Sequence, residues 1–411
     1  MENQLKKESI ITVIKLVIAG CLIYSISSGI RGNYGILLNS ISENSGVSYS
    51  SVSFSIAVAQ LVFGIMQPVF GVVAIKKSNR FVLCSGVILM ILGLMVIPIC
   101  KSAWTLMIFL GIILPSGTGA FSFGIIMSAI TPKVSQNIAA TVSGFVNASC
   151  GIGSTIFSPI IQSALESTGI KGTMLILSIS VFILLPISIW LCKSDTKTIS
   201  TENIDINKTE KENTSLKTIL LEALKNRTYK FLMIGFFTCG FHMAIIETHF
   251  YTQITTYNIT EQMAAYIFSI YGIATIIGAI VSGIFCSKFQ MQKVLGTLFA
   301  SRTFIIIFFL TMPKTIITIV FTAIFLGLTG ASTITPTSGI VSKVFGVEKL
   351  AMLFGFVFFC HQIGSFFSAW IGGISVMTTG GYTLIWGASA LLSLLAAIVS
   401  FLIKDEKKVQ E

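Results

Sequence analysis

Charge is what this sequence has least of. Only 10% of its 411 residues are Asp, Glu, Lys or Arg, against about 25% in soluble globular chains. So few charges cannot solvate a surface of this size, which argues against soluble-enzyme, nucleic-acid-binding and disordered classes. Acid is scarcer than base, with 16 Asp and Glu against 27 Lys and Arg. The eight cysteines show neither metal-ligand spacing nor a disulfide framework, so no metal and no cofactor is expected. No Gly-x4-Gly-Lys phosphate loop appears, and no nucleophile–base pair stands out, so neither an ATP-driven machine nor an enzyme is expected.

Hydrocarbon is what the sequence has in abundance. Apolar residues make up 54% and the mean hydropathy is +0.89. A bilayer-spanning helix needs roughly 20 mainly apolar residues. Twelve runs qualify: 12–37, 48–73, 81–99, 103–131, 138–165, 171–192, 229–254, 262–286, 293–312, 315–341, 350–375 and 383–403. They are continuously apolar, without the ten-residue alternation of a membrane β-barrel. The expected fold class is an all-α integral membrane protein with twelve transmembrane helices. The first run lacks a small-residue cleavage site and reads as a retained helix, not a signal peptide.

The net charge of +11 is an orientation signal. With both termini in the cytoplasm, 22 of the 27 Lys and Arg fall at the cytoplasmic side. Lys101, Lys171 and Lys314 fall outside, and Arg31 and Arg302 lie within helices. This is the positive-inside pattern. It implies an inner-membrane protein with cytoplasmic termini and no nucleic-acid partner.

The sizeable hydrophilic stretch inside the chain begins at Lys193 and is rich in Lys, Glu, Asn and Thr. It reads as a cytoplasmic linker, 193–228, with a short surface helix at 215–225, between six-helix bundles 1–192 and 229–411. The halves repeat at an offset of 211 residues. Gly29-Ile30-Arg31 matches Gly240-Phe241-His242, and Thr118-Gly119-Ala120 matches Thr329-Gly330-Ala331. Gly144-Phe145-Val146 with Ile152-Gly153-Ser154 matches Gly355-Phe356-Val357 with Ile363-Gly364-Ser365. Two parallel pseudo-repeats about an axis along the membrane normal are expected.

The segment Gly29-Ile30-Arg31-Gly32-Asn33-Tyr34-Gly35-Ile36-Leu37 resembles the first-helix motif of the bacterial monocarboxylate transporter-like branch of the major facilitator superfamily. Cys239 to Ala244 with Thr248-His249, Thr335-Pro336-Thr337-Ser338-Gly339, and Gly355 to Ser365 are similar to its motifs in helices 7, 10 and 11. The resemblance implies the major facilitator fold, a cavity lined by helix 1, and a monomer. Two departures stand out. The 2–3 loop, Gly71 to Arg80, has the glycine and basic residues of the superfamily motif but no acid, and helix 8 has no Arg.

Embedded ionisable residues cost several kcal/mol unless they face a cavity or a partner, so they are the candidates. Arg31 can hold a carboxylate with two parallel hydrogen bonds, or it can snorkel to the interface. His242, its repeat counterpart, is expected opposite it across the cavity, carrying a proton or a second donor; the alternative is a neutral ring satisfied within the bundle. Glu247, the one acid within a helix, is a proton-carrier candidate, but it lies about 140° around the helix from His242. His249 is expected to meet water. His361 and Gln362 orient substrate or bond between helices. Tyr34, Asn147, Phe121 and Tyr271 could line the site. Arg302 is expected to bond carbonyls and hydroxyls of neighbouring helices or to border a water-filled crevice. Pro159 and Pro336, with Pro115 and Pro132, are expected to break helices 4, 5 and 10 for packing or gating.

The embedded cations, the repeat and the resemblance together imply a secondary active transporter of a small organic anion, in the narrowest form a monocarboxylate, coupled to protons or to a counter-substrate. The alternatives are an exporter of hydrophobic compounds and, from another class, a non-transporting membrane sensor.

Overall fold

The computed structural model describes residues 2–193, 219–346 and 349–404. Most of the expected linker, 194–218, lies outside the described residues, as do the first four positions of its surface helix; 219–225 is helical. The chain is all-helical in its described regular structure. In order the helices are α1 (Glu2–Gly32), α2 (Tyr34–Ser45), α3 (Tyr49–Lys76), α4 (Asn79–Val96), α5 (Ala103–Ile108), α6 (Leu114–Ala120), α7 (Phe123–Ile130), α8 (Gln136–Phe182), α9 (Leu184–Leu191) and α10 (219–225). The C-terminal half follows with α11 (Arg227–Ile245), α12 (Tyr251–Thr255), α13 (Glu261–Lys288), α14 (Met291–Thr311), α15 (Ile316–Thr329), α16 (Ile334–Phe345), α17 (Leu350–Thr379) and α18 (Thr383–Phe401).

Side chains supply the caps that the apolar runs need at their ends. Ser48, Asn226, Thr260 and Thr315 each accept a hydrogen bond from a backbone N–H three residues on. Eleven helical segments among the described residues are long and apolar enough to cross a bilayer. The fifth and sixth sequence runs fall in one segment, Thr141–Leu191, of 51 residues. At 1.5 Å per residue it would extend roughly 75 Å, over twice the hydrocarbon thickness of about 30 Å. It is interrupted at Gly169 (φ 63°, ψ −171°), a conformation open essentially to glycine alone.

Several runs expected as single helices are broken at depth. The first divides at Asn33 (φ −113°, ψ 20°) between α1 and α2. The fourth passes through a π turn at Phe109–Ile113 and stops at Phe121. The tenth stops at Gly330. The seventh carries a π turn at Ile246–Phe250 between α11 and α12. Irregular backbone at membrane depth is tolerated where protein buries it or where it lines a cavity.

The two halves meet along three lines: α3 against α17, α8 against α13, and α2 against the 246–250 turn. The inter-half hydrogen bonds between described residues lie at mid-depth or toward the end that carries the 46–48 and 380–382 turns, here called distal. Tyr49 of α3 reaches His249 (2.9 Å) and Tyr382 (3.2 Å). Ser158 of α8 donates to Ala265 O (2.8 Å), and the Tyr251 hydroxyl donates to Gln162 Oε1. Gln162 Nε2 donates in turn to Glu166 and Glu261, both at 2.9 Å. The bundle is thus laced shut distally.

The prolines correct the sequence expectation. Pro159 lies inside α8, whose one non-helical residue is Gly169. A helical proline frees the carbonyl four residues back. Here that carbonyl is Thr155 O, and the Ser269 hydroxyl of α13 donates to it at 2.8 Å. Pro336 sits in the first turn of α16, beyond the break at Gly330. The carbonyl it frees, Ser332 O, accepts from Ser282 of α13 at 2.6 Å. Each proline creates an acceptor for a serine of α13 rather than a break. Ser269→Ala should lower unfolding stability by about 1 kcal/mol in the native background and by much less beside Pro159→Ala, which restores the missing N–H donor. Equal losses in both backgrounds, read by thermal unfolding in detergent, would refute this pairing.

Candidate functional site

Arg31 lies in the last turn of α1, two residues before the Asn33 break. Its Nη1 donates to Gln60 Oε1 of α3 (3.2 Å) and to Glu247 Oε2 (3.4 Å). The guanidinium also stands 4.7 Å from the Phe63 ring centroid, a favourable position over the negative face of the ring. Glu247 belongs to the π turn of the seventh run. The pair therefore bridges the two halves at the point where both chains depart from regular helix. It is the one salt bridge among the described residues. The side chains retain 18% and 13% exposure, so the pair is not fully sealed at the seam between the halves.

The surroundings are polar and under-bonded. Tyr24, Tyr34 and Cys150 lie within electrostatic reach of Arg31, and Tyr24 and Tyr34 of Glu247 as well. Gln60 Nε2 and the Tyr34 hydroxyl are buried without a hydrogen-bond partner. Unpaired buried donors and acceptors of this kind are costly, and beside a crevice they are the groups a polar solute would satisfy. The backbone of α2 closes over the pair: a Cβ on Gly35 would come within 2.8 Å of Glu247 O.

His242 does not stand opposite Arg31. It is fully buried, its Nδ1 is 3.1 Å from Ser389 Oγ of α18, and its ring meets Trp386 edge-on at 6.2 Å. The cause is register. Gly153 of α8 packs on Ser25 O and Gly29 N of α1, whereas Gly364 of α17 packs on Phe237 O and Phe241 N of α11. The α8-to-α17 offset is 211, but the α1-to-α11 offset is 212. By contacts, Met243 is the counterpart of Arg31, and one residue turns a helix by about 100°. The helical-phase argument that His242 and Glu247 point apart holds, but it is Glu247 that faces the arginine.

His249, expected to meet water, is fully buried. Its Nε2 is 2.9 Å from Ala369 O and its Nδ1 2.9 Å from the Tyr49 hydroxyl. A carbonyl can only accept, so these partners assign the proton to Nε2, and Nδ1 accepts from the tyrosine. His361 is half-buried, stacked on Phe358 at 5.3 Å, with Nδ1 unpartnered. Gln362 is 1% exposed with Oε1 unpartnered, and it packs on Gly64 of α3 across the half interface. Asn147 is half-buried in α8, Phe121 is buried at the break after α6, and Tyr271 is buried on α13. Arg302 is fully buried and donates to Thr329 O and Gly330 O at the end of α15.

Gln60, Phe63, Tyr24 and Cys150 were not singled out in the sequence. An amide in the mainly apolar 48–73 run was the available signal for Gln60, and Gln67 shares it.

The description "Major Facilitator Superfamily" fits a sequence-family model that matches residues 20–323 and 254–411. The chain belongs to the Major Facilitator Superfamily. It is 22% identical over 388 residues to an uncharacterized MFS-type transporter, YcxA, of Bacillus subtilis (strain 168), covering 88% of each chain. Among solved structures it resembles a D-xylose-proton symporter, with TM-score 0.75, 14% identity and coverage of 97% and 98%. It also resembles the nucleoside transporter NupG, with TM-score 0.74, 14% identity and coverage of 96% and 99%. A partially occluded, inward-open form of the xylose transporter XylE from E. coli matches at TM-score 0.71 and 14% identity, covering 97% and 99%. At these identities the likeness shows the fold. This superfamily member is a multi-pass membrane protein and a transporter, and the monocarboxylate branch is a finer reading taken up below.

Removing one member of a largely buried ion pair strands the other. Arg31→Ala and Glu247→Ala should each destabilise the transporter by about 3 kcal/mol, and the double variant by less than the sum. Additive losses in thermal unfolding would show that the two side chains are not coupled.

Proposed function

We propose that this chain is a secondary active transporter of a small organic anion, a monocarboxylate in its narrowest form, coupled to a proton at Glu247. The observation that carries the reading is the Arg31–Glu247 pair, which bridges the halves and keeps partial exposure at their seam. A substrate carboxylate has the same head group as Glu247 and can engage the guanidinium with two hydrogen bonds instead of one. Once displaced, Glu247 is left half-enclosed in a low-dielectric crevice, where a proton neutralises it. One monocarboxylate and one proton then enter together, with no net charge moved. Tyr34 and Gln362, with unpaired polar atoms, are the proposed substrate contacts, and Asn147 and His361 line the approach. His242 leaves the site on this reading, and Arg302, Pro159 and Pro336 are structural.

The reading includes twelve crossings, because the break at Gly169 lets the 51-residue segment turn back. Two parallel pseudo-repeats, 1–192 and 229–411, are supported by the breaks after Ala120 and Thr329. They are supported also by the paired interfaces of α3 with α17 and α13 with α8. Cytoplasmic termini in the inner membrane follow from the lysine and arginine distribution, and the distal bonds then close the outward side of a monomer.

A second reading, transport of a neutral polyhydroxylated solute, is favoured by one feature. Arg31 is already neutralised, and the unpaired groups around it are an amide and a hydroxyl. The polar lining does not favour an exporter of hydrophobic compounds.

In proteoliposomes with an alkaline lumen, one of lactate, pyruvate, formate or oxalate should accumulate. Arg31→Gln should abolish uptake. Glu247→Gln should keep counterflow exchange and lose accumulation driven by the pH gradient. The anion reading fails if none of the four acids moves, and the proton assignment fails if Glu247→Gln accumulates normally. Movement of D-xylose or a nucleoside in their place selects the second reading.

A further inference from the structure

Among the described residues, the membrane-spanning interior holds two guanidiniums, Arg31 and Arg302, and one carboxylate, Glu247. Glu247 serves Arg31. Arg302 is fully buried, and no carboxylate is paired with it among the described residues. Its Nη2 donates to the carbonyls of Thr329 and Gly330. These end α15, where the helix dipole places about half a negative charge. The neutralisation is therefore partial, and Nε and Nη1 are buried with no hydrogen-bond partner.

A second orphan sits beside it. The Tyr271 hydroxyl, on a residue 5% exposed, also has no partner. Gly330 joins the two groups: its carbonyl accepts from Arg302 at 3.3 Å, and a Cβ built on it would lie 3.4 Å from the tyrosine oxygen. His242 Nε2, buried and unpartnered as well, lies within electrostatic reach of Arg302. The free groups are donors or can become donors. Such a set calls for an anion, since water supplies lone pairs but no charge, and a buried unpaired cation costs several kcal/mol. Arg302 is fully buried and Tyr271 is 5% exposed, so protein encloses these groups and the smallest anions are favoured.

We propose that Arg302 and Tyr271 hold a small monovalent anion of halide size in the core of the C-terminal half, clamping the break between α15 and α16. This site is built on Arg302 rather than Arg31, although Glu247 lies within electrostatic reach of its tyrosine, and the proposal does not depend on what the protein transports.

The test uses the full-length protein in detergent, with chloride, bromide or gluconate as the sodium salt at matched ionic strength. Chloride and bromide should each raise the melting temperature by about 3 °C over gluconate, as expected for a ligand well above its dissociation constant. Arg302→Gln should erase that difference, and Arg31→Gln should keep it. Equal melting temperatures in the three salts overturn the proposal, and so does a halide effect that survives Arg302→Gln. If Arg302→Gln does not fold, Tyr271→Phe removes one donor, keeps the cation, and should weaken halide affinity several-fold. Unchanged affinity in that variant, or crystals grown in bromide without anomalous density beside Arg302, would likewise reject it.

Discussion

A lone charge is not tolerated in hydrocarbon, and this constraint organises the protein. Arg31 is placed in the outer part of the first run, and the fold answers it with Glu247 from the opposite half. To bring the two together, the backbone leaves regular helix twice, at Asn33 and through the π turn at Ile246–Phe250. Neither departure is costly where it faces protein or crevice. The pair therefore does more than neutralise. It ties one half to the other at the place where a solute would have to pass between them.

The outer part of the seventh run concentrates the remaining ties. Within five residues it carries Glu247, bonded to α1; His249, bonded to α3; and Tyr251, bonded to α8. Any motion that parts the halves distally must release these bonds together, because a single short stretch of backbone carries all of them. The π turn beneath them supplies a segment of looser helical geometry on which that stretch can shift. The inter-half bonds seen at depth, from Ser158 to Ala265 O and from Ser269 to Thr155 O, are hydroxyl-to-carbonyl contacts. They can be exchanged for water at modest cost.

Helix composition was legible because the bilayer demands it: length and apolarity alone locate the spans. The site was legible in part. Arg31 and Glu247 stood out as rare charges, but their partnership did not, because pairing depends on which face each helix presents. A one-residue change in register between α11 and α17 turned His242 into the bundle and left Met243 at the position expected for it. The prolines misled for a related reason. A proline frees a carbonyl, and whether the helix breaks depends on whether a neighbour such as Ser269 or Ser282 arrives to bond it.

The sequence by itself determined that this chain lives in a membrane, that its charges are too few to be incidental, and that its acid is the scarcer partner. These follow from the solvent, which acts on each residue separately. The tertiary structure alone decided who meets whom: Glu247 with Arg31, Tyr49 with His249, Arg302 with a helix end instead of an acid. Those pairings are set by helix rotation, where a shift of one residue redirects a side chain by about 100°, and no local pattern records that angle.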